Sequence, residues 1–211
     1  MFFPMIEALI IALALSLDAF VAAFAYGSRG IRIPPRSIHT INFICTGMVG
    51  LAFFSGAILR HHIPEGLAPA LSFGILFSLG MIKLLDHSIK SAIRKFSVRG
   101  REIRLSLRGI HLILTLYADP EQADLDGSKI LSPAEAATLA LALSLDGLAV
   151  GLGAALGSVS VWLVLATVWL TGLAALFAGT SLGNKAAKRL RFDLSWLSGV
   201  LLILLAFSNL Q

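Results

Sequence analysis

Long apolar segments constrain this chain more than any other feature. Six stretches, most of them about 20 residues long, are almost free of charge, and a helix of that length spans a hydrocarbon core of about 30 Å. The chain is 57% hydrophobic and 14% charged, whereas a soluble domain is about 45–50% apolar and about 25% charged. The predicted fold class is therefore an all-α integral membrane protein. The six predicted transmembrane helices are Met5–Tyr26, Ser37–Leu59, Leu67–His87, Ala134–Leu156, Val159–Thr180 and Leu194–Leu210.

The lysine and arginine residues predict the orientation of these spans. Of 17 such residues, 15 lie in the three loops on one predicted face, and only Arg60 lies on the opposite face. Cytoplasmic loops carry the excess of positive charge in membrane proteins. We therefore predict a multi-pass protein with both termini outside and a basic cytoplasmic face beside anionic lipid. Because the basic residues flank apolar segments, nucleic acid is not a predicted partner.

One heptapeptide occurs twice in the chain. ALALSLD is found at Ala12–Asp18 and again at Ala140–Asp146, in the first and fourth spans, and the second and fifth spans share a looser match. Since each half then has three spans, the second half enters the bilayer upside down. Inverted repeats are the usual construction of secondary transporters. We predict one three-helix repeat at 1–88, a cytoplasmic loop at 89–133 and a second three-helix repeat at 134–211.

Asp18 and Asp146 end the two heptapeptide copies, near the middle of their spans. A charged side chain at the bilayer centre costs about 2.5–3.5 kcal/mol on insertion scales, so two at matched depths need a reason. One hypothesis is that hydrogen-bonded carboxyls only hold helices together, with Asn42 or Thr46 as partners. The favoured hypothesis is a cation site, in which the repulsion between the paired carboxylates is relieved by a proton or by a divalent cation that replaces it.

Other oxygen atoms are expected to complete such a site. Oxygen ligands favour hard ions such as Mg²⁺, Mn²⁺ and Ca²⁺. Serines two residues before each aspartate could add hydroxyls only where the helix unwinds locally, since i and i+2 face apart. The glycines after Asp146 permit unwinding, although close helix packing is their favoured role. The predicted metal ligands are Asp18, Asp146, Asn42, Thr46, Ser16 and Ser144.

Two further residues inside the spans receive simpler interpretations. Lys83, near the inner end of the third span, is predicted to form a local ion pair with Asp86 and His87, and a gating role is the alternative. Cys45 is the single cysteine and is predicted to be a small buried hydrophobic residue.

A second candidate cation site lies at the end of the central loop. DLDGSKILSPAE matches a 12-residue EF-hand loop, except that Lys129 is at the sixth position, where glycine is expected. Ser132-Pro133-Ala134-Glu135 also predicts a capping box at the start of the fourth span. The two interpretations are compatible because the last EF-hand ligand lies in the exiting helix. The predicted Ca²⁺ ligands are Asp124, Asp126, Ser128, the Ile130 carbonyl, Ser132 and Glu135.

Six spans, with a Ser-x-Asp motif in the first and fourth followed by small and apolar residues, resemble the MntP family of manganese efflux pumps. The resemblance covers nearly the whole chain outside the central loop. It implies divalent-cation export, with Asp18 and Asp146 at the positions of the family's intramembrane aspartates. The connection of about 46 residues between the third and fourth spans is closer to the YtaF-like sporulation membrane protein branch of that family.

The predicted function is a secondary transporter of the bacterial cell membrane that exports a divalent cation, preferentially Mn²⁺, with proton coupling. No P-loop motif occurs in the sequence, so neither an ATP-driven pump nor an enzyme is predicted, and no cofactor is expected to be permanently bound. The metal ion and anionic lipid are the predicted partners, with a homo-oligomer as a candidate assembly. Two alternatives remain: a Ca²⁺ or Mg²⁺ transporter or channel, and a non-transporting sporulation membrane protein that binds a partner through its basic loop.

Overall fold

A computed structural model describes residues 2–64, 67–84, 128–157, 159–186, 203 and 207. Within these ranges four helices are long and apolar enough to cross a membrane, and a fifth apolar helix has 17 residues. The described part contains no β-strand beyond one isolated bridge. The chain is therefore an all-helical, multi-pass membrane protein. The helices are α1 (Phe2–Ser28), α2 (Pro35–His62), α3 (Ala68–Leu84), α4 (Pro133–Ala155) and α5 (Val161–Ala186).

Five of the six predicted spans coincide with these helices. The clearest difference is α5, which continues beyond its predicted end at Thr180 to Ala186. The last three residues of the third predicted span lie outside the described residues. So does the sixth predicted span, except for Ile203 and Phe207, which are both helical. Phe207 packs edge-on against Phe73 of α3, with ring centroids 5.5 Å apart.

A tight connection turns the chain from α1 into α2. Gly30 has a φ of 77°, a left-handed conformation that glycine adopts without strain. The Ile31 amide donates to the Tyr26 carbonyl at 3.0 Å, which satisfies one of the last carbonyls of α1. Pro35 then opens α2, where a proline costs no hydrogen bond. The six residues of this link reverse the chain, so that α2 runs antiparallel to α1. Tyr26 belongs to the same core cluster as Ile38, and Ala8 to the same cluster as Phe53.

The predicted capping box at the start of α4 is confirmed. The Ser132 hydroxyl accepts from the Glu135 amide at 3.3 Å, and the Glu135 carboxylate accepts from the Ser132 amide at 2.9 Å. The residues just before the cap are tied to the start of α2. The Ser37 hydroxyl donates to the Leu131 carbonyl at 2.7 Å, and Leu131 in turn donates to the Arg32 carbonyl at 2.9 Å. The end of the central loop is thus fixed to the α1–α2 link.

Helices α1 and α5 pack side by side in the same direction. Near their starts, the Thr167 hydroxyl lies 3.5 Å from the Ala8 carbonyl. Near their ends, Gly183 lies directly against the Phe24 backbone, so closely that no Cβ would fit there. Small residues at such a contact allow two backbones to approach.

Helices α2 and α4 form the equivalent parallel pair. Gly147 of α4 lies against Val49 of α2, Gly151 against Ala52, and Gly56 of α2 against Ala155. These glycines therefore serve close packing, and α4 continues without interruption past Asp146. Because α2 runs opposite to α1 and α4 runs with α2, α4 crosses the bundle in the opposite direction to α1. The outward faces carry exposed apolar side chains such as Phe43 and Trp162, as a lipid-facing surface requires.

Candidate metal site

The two heptapeptide aspartates meet on one lysine. Lys83 of α3 donates a hydrogen bond to Oδ2 of Asp18, and its Nζ lies 3.3 Å from Oδ2 of Asp146. The Lys83 side chain is 8% exposed, and the two aspartate side chains are 18% and 22% exposed. The structure thus brings the predicted pair of carboxylates together, with an ammonium between them.

This arrangement gives Lys83 partners that the sequence interpretation did not name. A local ion pair with Asp86 and His87 was predicted, but Lys83 points into the bundle and pairs with Asp18 and Asp146. Asp86 and His87 lie outside the described residues. The sequence could not reveal the contacts with Asp18 and Asp146, because they lie 65 residues before and 63 residues after Lys83.

The packing of α3 against α4 explains how Lys83 reaches the aspartates. Ser72 donates a buried hydrogen bond to the Gly153 carbonyl at 2.8 Å, and Leu76 packs into the space beside the same glycine. From that anchor α3 runs antiparallel to α4. Lys83 is 11 residues beyond Ser72, about 16 Å along α3, and Asp146 is 7 residues before Gly153, about 10 Å along α4. The four-carbon lysine side chain spans the remaining distance.

A cavity of about 40 Å³ lies beside the aspartate pair, between α1, α2, α4 and α5. A site of roughly 10–15 Å³ holds one water molecule, so this volume has room for an ion together with water. Asp18 lines the cavity, whereas Asp146 is not among the lining residues and faces Lys83 instead. The other predicted ligands on its wall are Ser16, Asn42, Thr46 and Ser144.

The polar groups on the cavity wall leave oxygen lone pairs available. Ser16 donates its proton to Thr171 at 2.7 Å, and Ser144 donates to the Leu141 carbonyl at 2.8 Å. A hydroxyl that donates elsewhere keeps its acceptor capacity for a cation. Asn42 donates its amide to the Trp169 carbonyl at 3.2 Å, so that Oδ1 remains as the acceptor. Both serines reach the cavity wall from uninterrupted helices, and whether they bind a metal ion together with the aspartates stays a prediction.

Thr46 and Cys45 each contribute a further feature to the cavity wall. The Thr46 hydroxyl is buried and has no hydrogen-bond partner within the part of the chain that the structure describes. A buried polar atom without a partner is costly, and its position on the cavity wall points to a ligand. Cys45 also lines the cavity, and its thiol lies 3.7 Å from the Ala140 carbonyl. Its spacing of three residues from Asn42, on one helical face, is the signal that could have identified it.

The EF-hand-like segment is described only from Ser128 onward. Lys129 has a φ of 58°, so the sixth position adopts the left-handed conformation for which glycine is usual. The Ile130 carbonyl accepts a hydrogen bond from the Ser128 hydroxyl at 3.0 Å. Ser132 and Glu135 are engaged in the capping box. Asp124 and Asp126 lie outside the described residues. The described half therefore adopts the expected turn, while its predicted ligands are engaged in local hydrogen bonds.

No group of three or more His, Cys, Asp and Glu side chains that could hold a metal ion occurs within the described residues. The aspartate site differs from such a cluster, because it combines two carboxylates with neutral oxygen donors. Neutral oxygens on helices with one or two carboxylates suit a hard cation that is bound and released, whereas dense carboxylate cages hold an ion tightly.

The sequence profile of the family described as "Mntp: Putative manganese efflux pump" matches residues 65–210. The match covers more than half of the chain and includes α3, Lys83 and Asp146. The chain belongs to the MntP family. The family's description names manganese efflux, so membership implies a divalent metal ion as the transported substrate. A family of transporters is compatible with the predicted lack of enzymatic activity.

Curated relatives cover almost the whole length of the chain. The "Probable sporulation protein YtaF" of Bacillus subtilis is 27% identical over 94% of this chain and 96% of its own. The "Putative manganese efflux pump MntP" of Campylobacter hominis is 26% identical over 97% of this chain and 96% of its own. "Putative manganese efflux pump MntP 1" of Wolinella succinogenes is 27% identical over 94% and 93%, respectively. Both branches named from the sequence thus appear among the relatives. No solved structure matches the chain.

Proposed function

We propose that this MntP-family protein is a secondary transporter that exports Mn²⁺ through a site formed by Asp18 and Asp146. The observation that carries the proposal is the convergence of both carboxylates on a single cation, the Lys83 ammonium, in the interior of the helix bundle. Two mid-span carboxylates that hold an ammonium group are suited to bind a metal cation in its place. In this proposal Asn42, Thr46, Ser16 and Ser144 supply neutral oxygens from the adjoining cavity.

The helix directions support an inverted repeat. The first helix of one proposed half, α1, packs with the second helix of the other, α5, and α2 packs with α4 in the same way. A pseudo-two-fold axis in the membrane plane would exchange these two pairs, and it would relate Asp18 to Asp146. Transporters of this construction bind their cargo at the repeat interface and alternate its access between the two sides. The proposal includes a sixth helix, both termini outside and the central loop in the cytoplasm.

The donor set favours a hard divalent cation. Carboxylate, amide and hydroxyl oxygens suit Mn²⁺, Mg²⁺ and Ca²⁺, and the names of two relatives favour Mn²⁺ among them. Proton coupling remains part of the proposal, and an imposed pH gradient that alters Mn²⁺ flux is its test. The Lys83 ammonium, however, lies between the Asp18 and Asp146 carboxylates, where the sequence predicted a shared proton.

Flux measurements on purified protein test the site. Proteoliposomes loaded with a metal-sensitive dye are exposed to Mn²⁺, and wild-type protein is compared with Asp18→Asn and Asp146→Asn. Loss of a supporting partner of a metal ligand costs about 10–100-fold, so loss of a ligand itself is expected to lower flux by at least about 100-fold. Glu7→Gln is the matched control, since it neutralises a carboxylate of α1 about 16 Å from Asp18 along the helix.

Two results would contradict the proposal in different ways. Equal flux in wild-type protein and both asparagine variants would remove the aspartates from the transport path. No flux of Mn²⁺, Ca²⁺ or Mg²⁺ through correctly folded wild-type protein would favour the second function, a sporulation membrane protein that binds a partner through its basic loop. The name of the Bacillus subtilis relative is the observation that favours this second function.

The segment 124–135 is proposed as a separate Ca²⁺ site. The left-handed conformation of Lys129 supports it, because an EF-hand loop turns at its sixth position. Binding would require the Glu135 carboxylate to serve the ion as well as the Ser132 amide. Ca²⁺ titration of the full-length protein, compared with Glu135→Gln, tests this site independently of transport.

A further inference from the structure

Lys83 is more than a structural partner of the aspartates. We propose that its ammonium is a tethered counter-cation, which alternates with the transported metal ion at the two carboxylates and lets the transporter return without cargo. The inference rests on the proposed function, because it assigns a role to Lys83 within the same transport site. The inference concerns how the protein without bound metal returns to its starting access state. Neither the ligands of the site nor the description of the family specifies that step.

The geometry makes the ammonium and the metal ion competitors. Lys83 contacts Oδ2 of Asp18 and lies 3.3 Å from Oδ2 of Asp146. A divalent ion held by those oxygens at a metal–oxygen distance of about 2.0–2.6 Å would lie within about 6 Å of Nζ. The two positive charges would then repel one another inside a poorly screened interior. Metal binding is therefore expected to displace the ammonium.

Lysine is suited to a reversible contact of this kind. Its ammonium is a compact point charge on a flexible stem of four carbons, whereas an arginine would hold carboxylates through a rigid, planar fork. Lys83 also lies in the last described turn of α3, where only the end of the side chain needs to move. The cavity beside Asp18 offers neutral oxygens to an incoming ion that the ammonium does not use.

The unloaded site depends on this positive charge. Two carboxylates inside the membrane without a cation would be strongly unfavourable. With Lys83 between them the net charge of the three groups is −1 instead of −2. The ammonium therefore stabilises the site while it passes between its two access states without a metal ion. A transporter that lacks the ammonium could change its access state only when loaded.

Two modes of flux distinguish this role from a purely structural one. Proteoliposomes are loaded with radioactive Mn²⁺ at mildly alkaline pH on both sides, so that protons are scarce. Net efflux is measured into Mn²⁺-free medium, and exchange is measured into medium that contains unlabelled Mn²⁺. Net efflux requires the empty protein to return, whereas exchange does not. Wild-type protein is expected to perform both.

Lys83→Met is expected to separate the two modes. Net efflux should fall about 100-fold, because removal of one partner from a buried ion pair is strongly unfavourable. Exchange should remain within about threefold, and half-saturation should shift to lower Mn²⁺ concentration, since the competitor is gone. Lys83→Arg keeps the charge and should retain net efflux within about tenfold. Lys185→Met removes an exposed lysine from the last turn of α5 and should change neither mode.

Several outcomes would overturn the inference. Wild-type protein that exchanges Mn²⁺ but shows no net efflux would refute the return step, and this result needs no variant. Net efflux by Lys83→Met equal to wild type would refute it too, as would loss of both modes in folded protein. If Lys83→Met does not fold, Lys83→Gln, which removes the charge but keeps a hydrogen-bond donor, takes its place. Absence of both modes in the wild type would instead refute the proposed function.

Discussion

Gly172→Ala should damage the metal site without unfolding the protein. A Cβ at Gly172 would overlap Oδ1 of Asn42, while its next contact, Asn42 Cγ, would be at an ordinary 3.5 Å. Rotation of the Asn42 amide relieves the overlap without moving α2 away from α5. That rotation displaces the amide oxygen from the cavity wall and breaks the hydrogen bond to the Trp169 carbonyl.

The expected magnitudes differ for stability and for binding. Loss of one hydrogen bond costs about 0.5–1.5 kcal/mol, and replacement of a helix glycine by alanine returns about 0.8–1.0 kcal/mol. The free energy of unfolding should therefore change by less than about 1 kcal/mol. Mn²⁺ affinity should fall about tenfold, equivalent to about 1.4 kcal/mol, because one oxygen ligand is misplaced.

Gly50→Ala is the matched control for this experiment. Gly50 occupies the corresponding place in the predicted repeat, and a Cβ there would meet only Leu165 methyl groups, at 3.6 and 3.8 Å. Both variants are compared by calorimetric Mn²⁺ titration and by thermal unfolding in the same detergent. Equal Mn²⁺ affinity of the two variants would refute a role for Asn42 in the site. A double variant with Asn42→Ser should bind no more weakly than Asn42→Ser alone, since the clash is then removed.

Other predictions test the packing, the cavity and the loop. Gly183→Val should lower thermal stability by several degrees or prevent folding, because its side chain would meet the Phe24 backbone. Thr46→Val should leave thermal stability unchanged or raise it, since it removes a buried hydroxyl without a described partner. The same variant should weaken Mn²⁺ binding severalfold, and unchanged binding would exclude Thr46 as a ligand. Ser132→Ala should lower the free energy of unfolding by about 1 kcal/mol through loss of the helix cap. Lys129→Gly should raise stability by up to about 1 kcal/mol, because Lys129 has a positive φ, and should strengthen Ca²⁺ binding if the loop is an EF-hand.

The sequence predicted what depends on local patterns. Hydropathy placed five of the predicted spans, and the Ser132–Glu135 spacing predicted the cap of α4. Repetition of ALALSLD identified Asp18 and Asp146 as a pair. These features follow from short segments, because helix length, capping and mid-span polarity are set by residues within a few turns of one another.

The partner of those aspartates could not be predicted in the same way. Local context gave Lys83 only its neighbours in sequence as partners. Cys45 packs against a core cluster as predicted, but local context could not show that it also lines the cavity. The actual contacts depend on the antiparallel packing of α3 on α4 at Gly153, and on the cavity that α1, α2, α4 and α5 line together. Glycine contacts between backbones set those positions.

The sequence by itself thus determined that the protein lies in a membrane, where its long helices run, and which two carboxylates need a cation. Tertiary structure alone decided which cation lies between them and which oxygens surround the adjoining cavity. The physical reason is range: transfer of a segment into lipid depends on its own composition, whereas an ion pair depends on atoms that distant helices bring within about 4 Å. In this protein, α3 places the Lys83 ammonium between the aspartates, and the composition of a single segment could not predict that ion pair.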